Sequence, residues 1–169
     1  MRADWTARRA TCWADAVTNH ETAPLTGEFA EPVTGWVADQ LAAIDAAGTT
    51  EAADVQGRRV VVYTVQGKRS GLLRRVPLMR VTDGTSYAAV ASKGGDPKHP
   101  AWYYSMLANP RVDLQDGTTT KGYVVRELSG DERAKWWERC VAAFPPYADY
   151  QTKTDREIPV LLAEPLVTT

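Results

Sequence analysis

The run RRVVVYTVQ, Arg58 to Gln66, constrains the fold more than any other stretch of the chain. It is β-branched and almost continuously apolar, which predicts a buried strand. GKRSG follows as a turn, and RRVPLMRV reads as a second strand whose Pro77 places it at an edge, a bulge or a bend. TDGT then makes a tight turn into SYAAVAS. Beyond an aromatic-rich helix, RVDLQDGTTTKGYVVREL predicts another hairpin around Asp116 and Gly117, and IPVLLAEP predicts the last strand. Helices fall between the hairpins. WVADQLAAIDAAG carries Val37, Leu41 and Ile44 at helical spacing with Gly48 as a stop. SGDERAKWWERCVAAF opens with Ser129 and Glu132 at capping-box spacing, and Pro145 and Pro146 end that helix and start the next. Antiparallel strands with inserted helices give an α+β class, and a small barrel is the economical way to remove sheet edges.

Residues 35–169 form the domain so described, and residues 1–34 read as an N-terminal helical arm and linker. In the arm, Trp5, Cys12, Trp13, Ala16 and Val17 share one side of a helix, with Arg2, Arg8 and Arg9 nearby. Packing on the barrel or on a partner subunit is the first reading of that face. Weak peripheral contact with an anionic membrane is the second, because Asp4, Asp15 and Glu21 dilute the positive charge. The net charge of −1 excludes a global field toward nucleic acid. Two distant cysteines, Cys12 and Cys140, form no disulfide framework, and two histidines without ligand-spaced partners predict no metal site. No stretch approaches a membrane span and no secretory apolar core is present, so a cytoplasmic location is expected.

Charge is uneven along the chain. From Lys68 to Lys98 there are seven Lys or Arg residues against two acids, Asp83 and Asp96. Two glycine-bearing turns carry much of this charge. GKRSG offers Lys68, Arg69, Ser70 and backbone amides together, a plausible anion nest without Walker spacing. ASKGGDPKHP leaves a strand at Ser92 and Lys93, passes two glycines, Lys98 and His99, and enters the aromatic helix at Pro100, whose terminal amides favour an anion. His99 reads as a capping or packing residue. Trp102 beside this loop is either core or the wall of a planar heterocycle's site. Tyr147 and Tyr150 share one face of a short helix, as a packed pair or as hydroxyl donors to a substrate oxygen. No Ser/His/Asp set or carboxylate pair is present. Chemistry would then rest on a bound, multiply anionic cofactor, with the protein supplying orientation and electrostatics.

The ordered motifs GKRSG, RRVPLMRV, ASKGGDPKHPAWYYSMLANPRVDLQDG and WWERCVAAFPPYADYQTKTDREIPV resemble the deazaflavin-dependent nitroreductase and quinone reductase family of actinobacteria, over roughly Trp36 to Pro165. The resemblance implies a split β-barrel that binds coenzyme F420, whose phosphate and oligoglutamate tail are polyanionic. By position, Lys68, Arg69, Arg74, Lys93 and Lys98 would meet the acidic tail. Pro77, Met79, Ala91, Ser92 and Trp102 would surround the deazaflavin. Ser92, Tyr147 and Tyr150 would face the acceptor, a quinone or a nitroaromatic that receives hydride. Phe144 stands where some relatives carry a tyrosine, which leaves the acceptor range open. An FMN-using split barrel and a non-catalytic anion or cofactor carrier are the competing readings.

Overall fold

The computed structural model describes residues 23–31 and 34–166. The strands are β1 (Asp54–Val55), β2 (Arg58–Gln66), β3 (Leu73–Met79), β4 (Tyr87–Val90), β5 (Arg111–Asp116), β6 (Thr119–Glu127) and β7 (Val160–Pro165). The helices are α1 (Trp36–Ala47), α2 (Ala101–Ala108), α3 (Gly130–Ala143) and α4 (Pro146–Thr152).

The apolar run of β2 has a simple cause: both of its faces are covered. Val60 and Val62 join a core with Ile44, Cys140, Phe144 and Tyr147 from the helical side. Val61, Tyr63 and Val65 join a second core with Val112, Leu114, Tyr123, Val125 and Leu161. This second core draws side chains from every long strand and is plugged by Tyr103 and Met106 of α2, so it is the barrel interior. Consecutive residues of β4 and β7 alternate between the same two cores, as a pleated strand requires.

The strands run β3-β2-β5-β6-β7-β4, each antiparallel to its neighbour, with β1 added beside the start of β2. Past β3 the chain continues to Val81, whose carbonyl accepts the Ala88 N–H at 2.9 Å, and Thr82 bridges Tyr87. That contact joins the two ends of the sheet and closes a split β-barrel. Pro77 sits opposite Val62 on β3, which among the described residues has no second partner strand over Arg74–Met79, so the missing N–H breaks no ladder there.

The predicted turns and stops are present. Asp83 Oδ1 accepts the Thr85 and Ser86 N–H groups at the TDGT turn. Gly48 takes the left-handed conformation (φ 73°) that ends α1 and returns its N–H to the Ile44 carbonyl. The capping box at Ser129 and Glu132 does not form. Ser129 makes no side-chain cap bond, and the Glu132 carboxylate that would complete the box is taken by both Nη atoms of Arg126, at 2.6 and 2.8 Å. Residues 1–22 of the arm lie outside the described residues. The stretch that follows lies against the barrel: Leu25 N–H donates to Asp113 Oδ2 at 2.8 Å, Arg111 donates to the Ala23 carbonyl, and Phe29 bridges Leu73.

Candidate functional site

Between the outer face of β3 and the helices lies a cavity of 830 Å³, within the size range of small-molecule and cofactor sites. Its walls are β3, α1, the loop after β4, the start of α2, and the α3–α4 corner. Of the residues singled out from sequence, Arg74, Pro77, Met79, Ser92, Lys93, Trp102, Tyr147 and Tyr150 line it together. Lys68, Arg69, Ala91 and Lys98 do not. Ala91 is fully buried at the end of β4, and the other three are exposed on the turns flanking the cavity. Sequence reasoning missed the α1 wall, including Trp36 and Leu41, and missed Phe29 of the arm. Trp36 and Phe29 are largely exposed at 64% and 53%, and an exposed tryptophan at a helix start was the available signal.

The loop after β4 has the backbone geometry of an anion nest. Ser92 is right-handed (φ −75°, ψ −40°) and Lys93 left-handed (φ 45°), the alternation that turns successive amides to one side as a nest. Gly94 and Gly95 continue at φ 64° and 86°. Gly95 is obligatory for space as well, since a Cβ there would stand 2.7 Å from the Tyr150 carbonyl oxygen and 2.9 Å from Lys153 Cβ. The loop is thereby seated directly on the helix that carries both tyrosines. Pro100, Ala101 and Trp102 bring the N-terminus of α2 to the same cavity.

Ion pairs within the protein take up part of the basic excess. Arg75 pairs with Asp45 at 2.8 Å and Arg80 with Asp116 at 2.8 Å. Lys93 is 3.9 Å from Asp96. Lys68, Arg69, Arg74 and Lys98 form no ion pair among the described residues, which leaves them available to a ligand. In the GKRSG turn the Ser70 hydroxyl accepts the Leu72 N–H at 3.2 Å and serves the turn itself.

Opposite the loop, the rings of Phe144, Tyr147 and Tyr150 form a cluster with centroids 5.0–6.3 Å apart. Burial, with Cys140 and Tyr150 beside it, pushes the Tyr147 hydroxyl well above the ordinary tyrosine range, so it stays a proton donor. The hydroxyls of Ser92, Tyr147 and Tyr150 make no hydrogen bond to the described residues, and all three residues border the cavity. These hydroxyls open onto the cavity without a partner among the described residues, so a bound group can take them as donors. An apolar slot with three hydroxyls and flanking unpaired cations fits a flat heterocycle carrying an anionic extension.

Residues 36–165 match the model of the family described as F420H(2)-dependent quinone reductase. The chain belongs to this F420H(2)-dependent quinone reductase family. It is 33% identical over 99 residues to the Mycobacterium tuberculosis F420H(2)-dependent quinone reductase Rv1261c, a match covering 57% of this chain and 66% of that one. A second M. tuberculosis relative, Rv3178, is 33% identical over 100 residues, covering 59% and 84% of the two chains. A solved F420-H2 dependent reductase, FDR-A, is 56% identical with a TM-score of 0.60, covering 62% of this chain and 93% of that one. A second solved structure, described only as a domain-swapped dimer, is 52% identical with a TM-score of 0.63, covering 76% of this chain and 97% of that one. Membership of the F420H(2)-dependent quinone reductases makes the chain an oxidoreductase with coenzyme F420 as its cofactor, and the cavity suits that cofactor's planar and anionic parts.

Proposed function

We propose that the cavity binds reduced coenzyme F420 beside a quinone, and that Ser92, Tyr147 and Tyr150 hold the quinone oxygen. One observation carries this reading: three hydroxyls without protein partners border one apolar cavity whose rim bears the unpaired Arg74 and the loosely paired Lys93. When bound, the deazaflavin supplies the hydride. Pro77, Met79 and Trp102 offer it an apolar slot, while Lys93, Arg74, Lys68, Arg69 and Lys98 receive phosphate and glutamates. Hydrogen bonds from Ser92 and the tyrosines strengthen as charge develops on the acceptor oxygen. Ala91 acts by fixing the strand end from which Ser92 projects. A nitroaromatic has oxygens of similar reach and is the second acceptor class, expected to be reduced more slowly.

Titration with F420 and with FMN, followed by fluorescence, tests the cofactor assignment, and turnover with menadione tests the acceptor. Tight F420 binding, weak FMN binding and menadione reduction are expected. Preference for FMN, or F420 binding with no turnover of any quinone, would replace this reading with one of its competitors. The apolar face of the arm lies outside the described residues; packing is proposed for it ahead of membrane binding, in line with residues 23–31, which lie against the barrel. The full chain is expected to remain in the supernatant when sedimented with anionic vesicles, and pelleting would reverse that assignment.

A further inference from the structure

Arg156 lies in the segment between α4 and β7 and does not line the cavity, yet its side chain is wholly engaged by the loop that does. Nε donates to the Asp96 carbonyl at 2.8 Å, Nη1 to the Ala91 carbonyl at 3.1 Å, and Nη2 to the Ser92 carbonyl at 2.9 Å. Nη1 also stands 3.1 Å from His99 Nδ1. A guanidinium only donates, so that ring nitrogen is the unprotonated acceptor. No carboxylate among the described residues pairs with Arg156; four neutral acceptors surround it. Its own backbone is clasped by α4, where Gln151 Nε2 donates to the Arg156 carbonyl at 2.8 Å and Gln151 Oε1 accepts the Ile158 N–H at 2.9 Å. One cation thus joins the Ser92 loop to the helix bearing Tyr147 and Tyr150, across some 60 residues of sequence.

We propose that Arg156 is a positioning residue for the cofactor loop, fixing the Ser92–Gly94 turn against α4, with His99 as the neutral acceptor that completes its coordination. The proposal rests on the reading of that loop as part of the deazaflavin site. Without Arg156, the Ala91 and Asp96 carbonyls lose their side-chain donor, the Ser92 carbonyl keeps only the Gly95 N–H, and the left-handed Lys93 loses part of the frame that holds it in a sparsely populated conformation. Protonating His99 would have a related effect, since it removes an acceptor and sets two cations 3.1 Å apart. The groups facing His99 are Arg156, the rings of Tyr103 and Tyr104 on α2 at 4.5 and 5.8 Å, and Glu127 of β6, which accepts the Tyr103 hydroxyl at 2.9 Å. Asp96 and Lys98 flank it on its own loop. Burial, and then Arg156, favour the neutral ring, while Glu127 opposes them.

The test compares the full-length wild type with Arg156→Lys, Arg156→Gln and His99→Asn. A lysine ammonium cannot span four acceptors fixed for a planar fork. In the unliganded protein, hydrogen exchange over residues 91–99 should accelerate in both Arg156 variants. The F420 dissociation constant should rise about tenfold or more, with the menadione KM at saturating cofactor changing less than about twofold. His99→Asn keeps an acceptor near the Nδ1 position and does not titrate. It should bind F420 like wild type at pH 7.5 and lack the wild-type loss of affinity as the pH falls below about 6.5, where the lowered pKa of His99 places its protonation. Titration of the cofactor itself is common to both proteins, so the difference between the curves belongs to His99. Wild-type exchange rates and affinity in both Arg156 variants would overturn the proposal, as would superimposable pH curves for wild type and His99→Asn. If the Arg156 variants do not fold, the His99 comparison decides alone. Wild-type protein that binds no F420 would instead overturn the underlying reading, and the exchange data would still decide whether Arg156 holds the loop.

Discussion

Ser92, Tyr147 and Tyr150 reach the cavity from different elements, and their hydroxyls differ in what they can lose. Tyr147 is 5% exposed and Ser92 8%, yet both hydroxyls open onto the cavity and neither has a hydrogen-bond partner among the described residues, so removing either breaks no protein bond. Tyr147→Phe and Ser92→Ala should therefore leave the melting temperature unchanged or raised, while menadione turnover falls about tenfold, the effect of ~1.4 kcal/mol in the barrier. Tyr150→Phe should cost less, because that residue is only half-buried. Steady-state kinetics with the F420 dissociation constant measured in parallel checks this, and a loss confined to cofactor binding would reassign the pair. His99 yields a pH prediction. Its folded pKa lies below the ordinary histidine value through burial and Arg156, so the unfolded chain takes up the proton first. Stability is then full above about pH 6.5 and declines as pH falls through the folded pKa. His99→Asn should flatten that part of the pH–stability curve, as read by denaturant titration of the unliganded protein.

The elements were readable where the signal was local. Gly48, Pro77, the TDGT turn and the Asp116–Gly117 hairpin each act within a few residues, and each does what its chemistry requires. Partners distant in sequence were not readable. Arg75 and Arg80 look like ligand cations in a basic stretch until Asp45 and Asp116 are brought beside them by the sheet. Glu132 looks like a cap until Arg126 claims it. Arg156 sits in a polar connector, TDREIPV, with nothing nearby to show that it grips a loop some 60 residues earlier. Gly95 serves a close approach to α4 that its place in a glycine pair does not reveal. Gly95→Ala should therefore cost about 1–3 kcal/mol of stability through overpacking against a backbone oxygen, and should also slow turnover by lifting Ser92 away from Tyr150. Gly94→Ala meets nothing within 4 Å and should show only the smaller backbone cost of a left-handed alanine. Thermal melts and menadione kinetics on the two variants separate the effects, and equal losses would mean that backbone conformation alone is at work.

At the scale of the molecule, the two cores share their strands. Leu161 points into the barrel with Ala89 and Val125, and is fully buried. Its neighbour Leu162 points to the helical side with Val62 and Ile158, and is 4% exposed. The helical core holds the outer wall of the cavity, and the barrel core holds the strands from which that wall is hung. Because β2, β4 and β7 each contribute to both, one core cannot lose its packing without unpairing strands the other depends on. Leu161→Ala and Leu162→Ala should each cost about 2–5 kcal/mol, the usual range for such truncations. More tellingly, both should shift a single unfolding transition. Trp136 and Trp137 pack on the helical core and Trp102 on the barrel core, so in a background whose other four tryptophans are replaced by phenylalanine the Trp136 and Trp137 fluorescence follows the helical side, while far-UV circular dichroism follows the barrel strands as well. Coincident transitions by the two probes are expected in both variants. If Leu162→Ala moved the fluorescence transition to lower denaturant while leaving the dichroism behind, the helical layer would be a separately melting cover, and the cavity wall would open without the barrel.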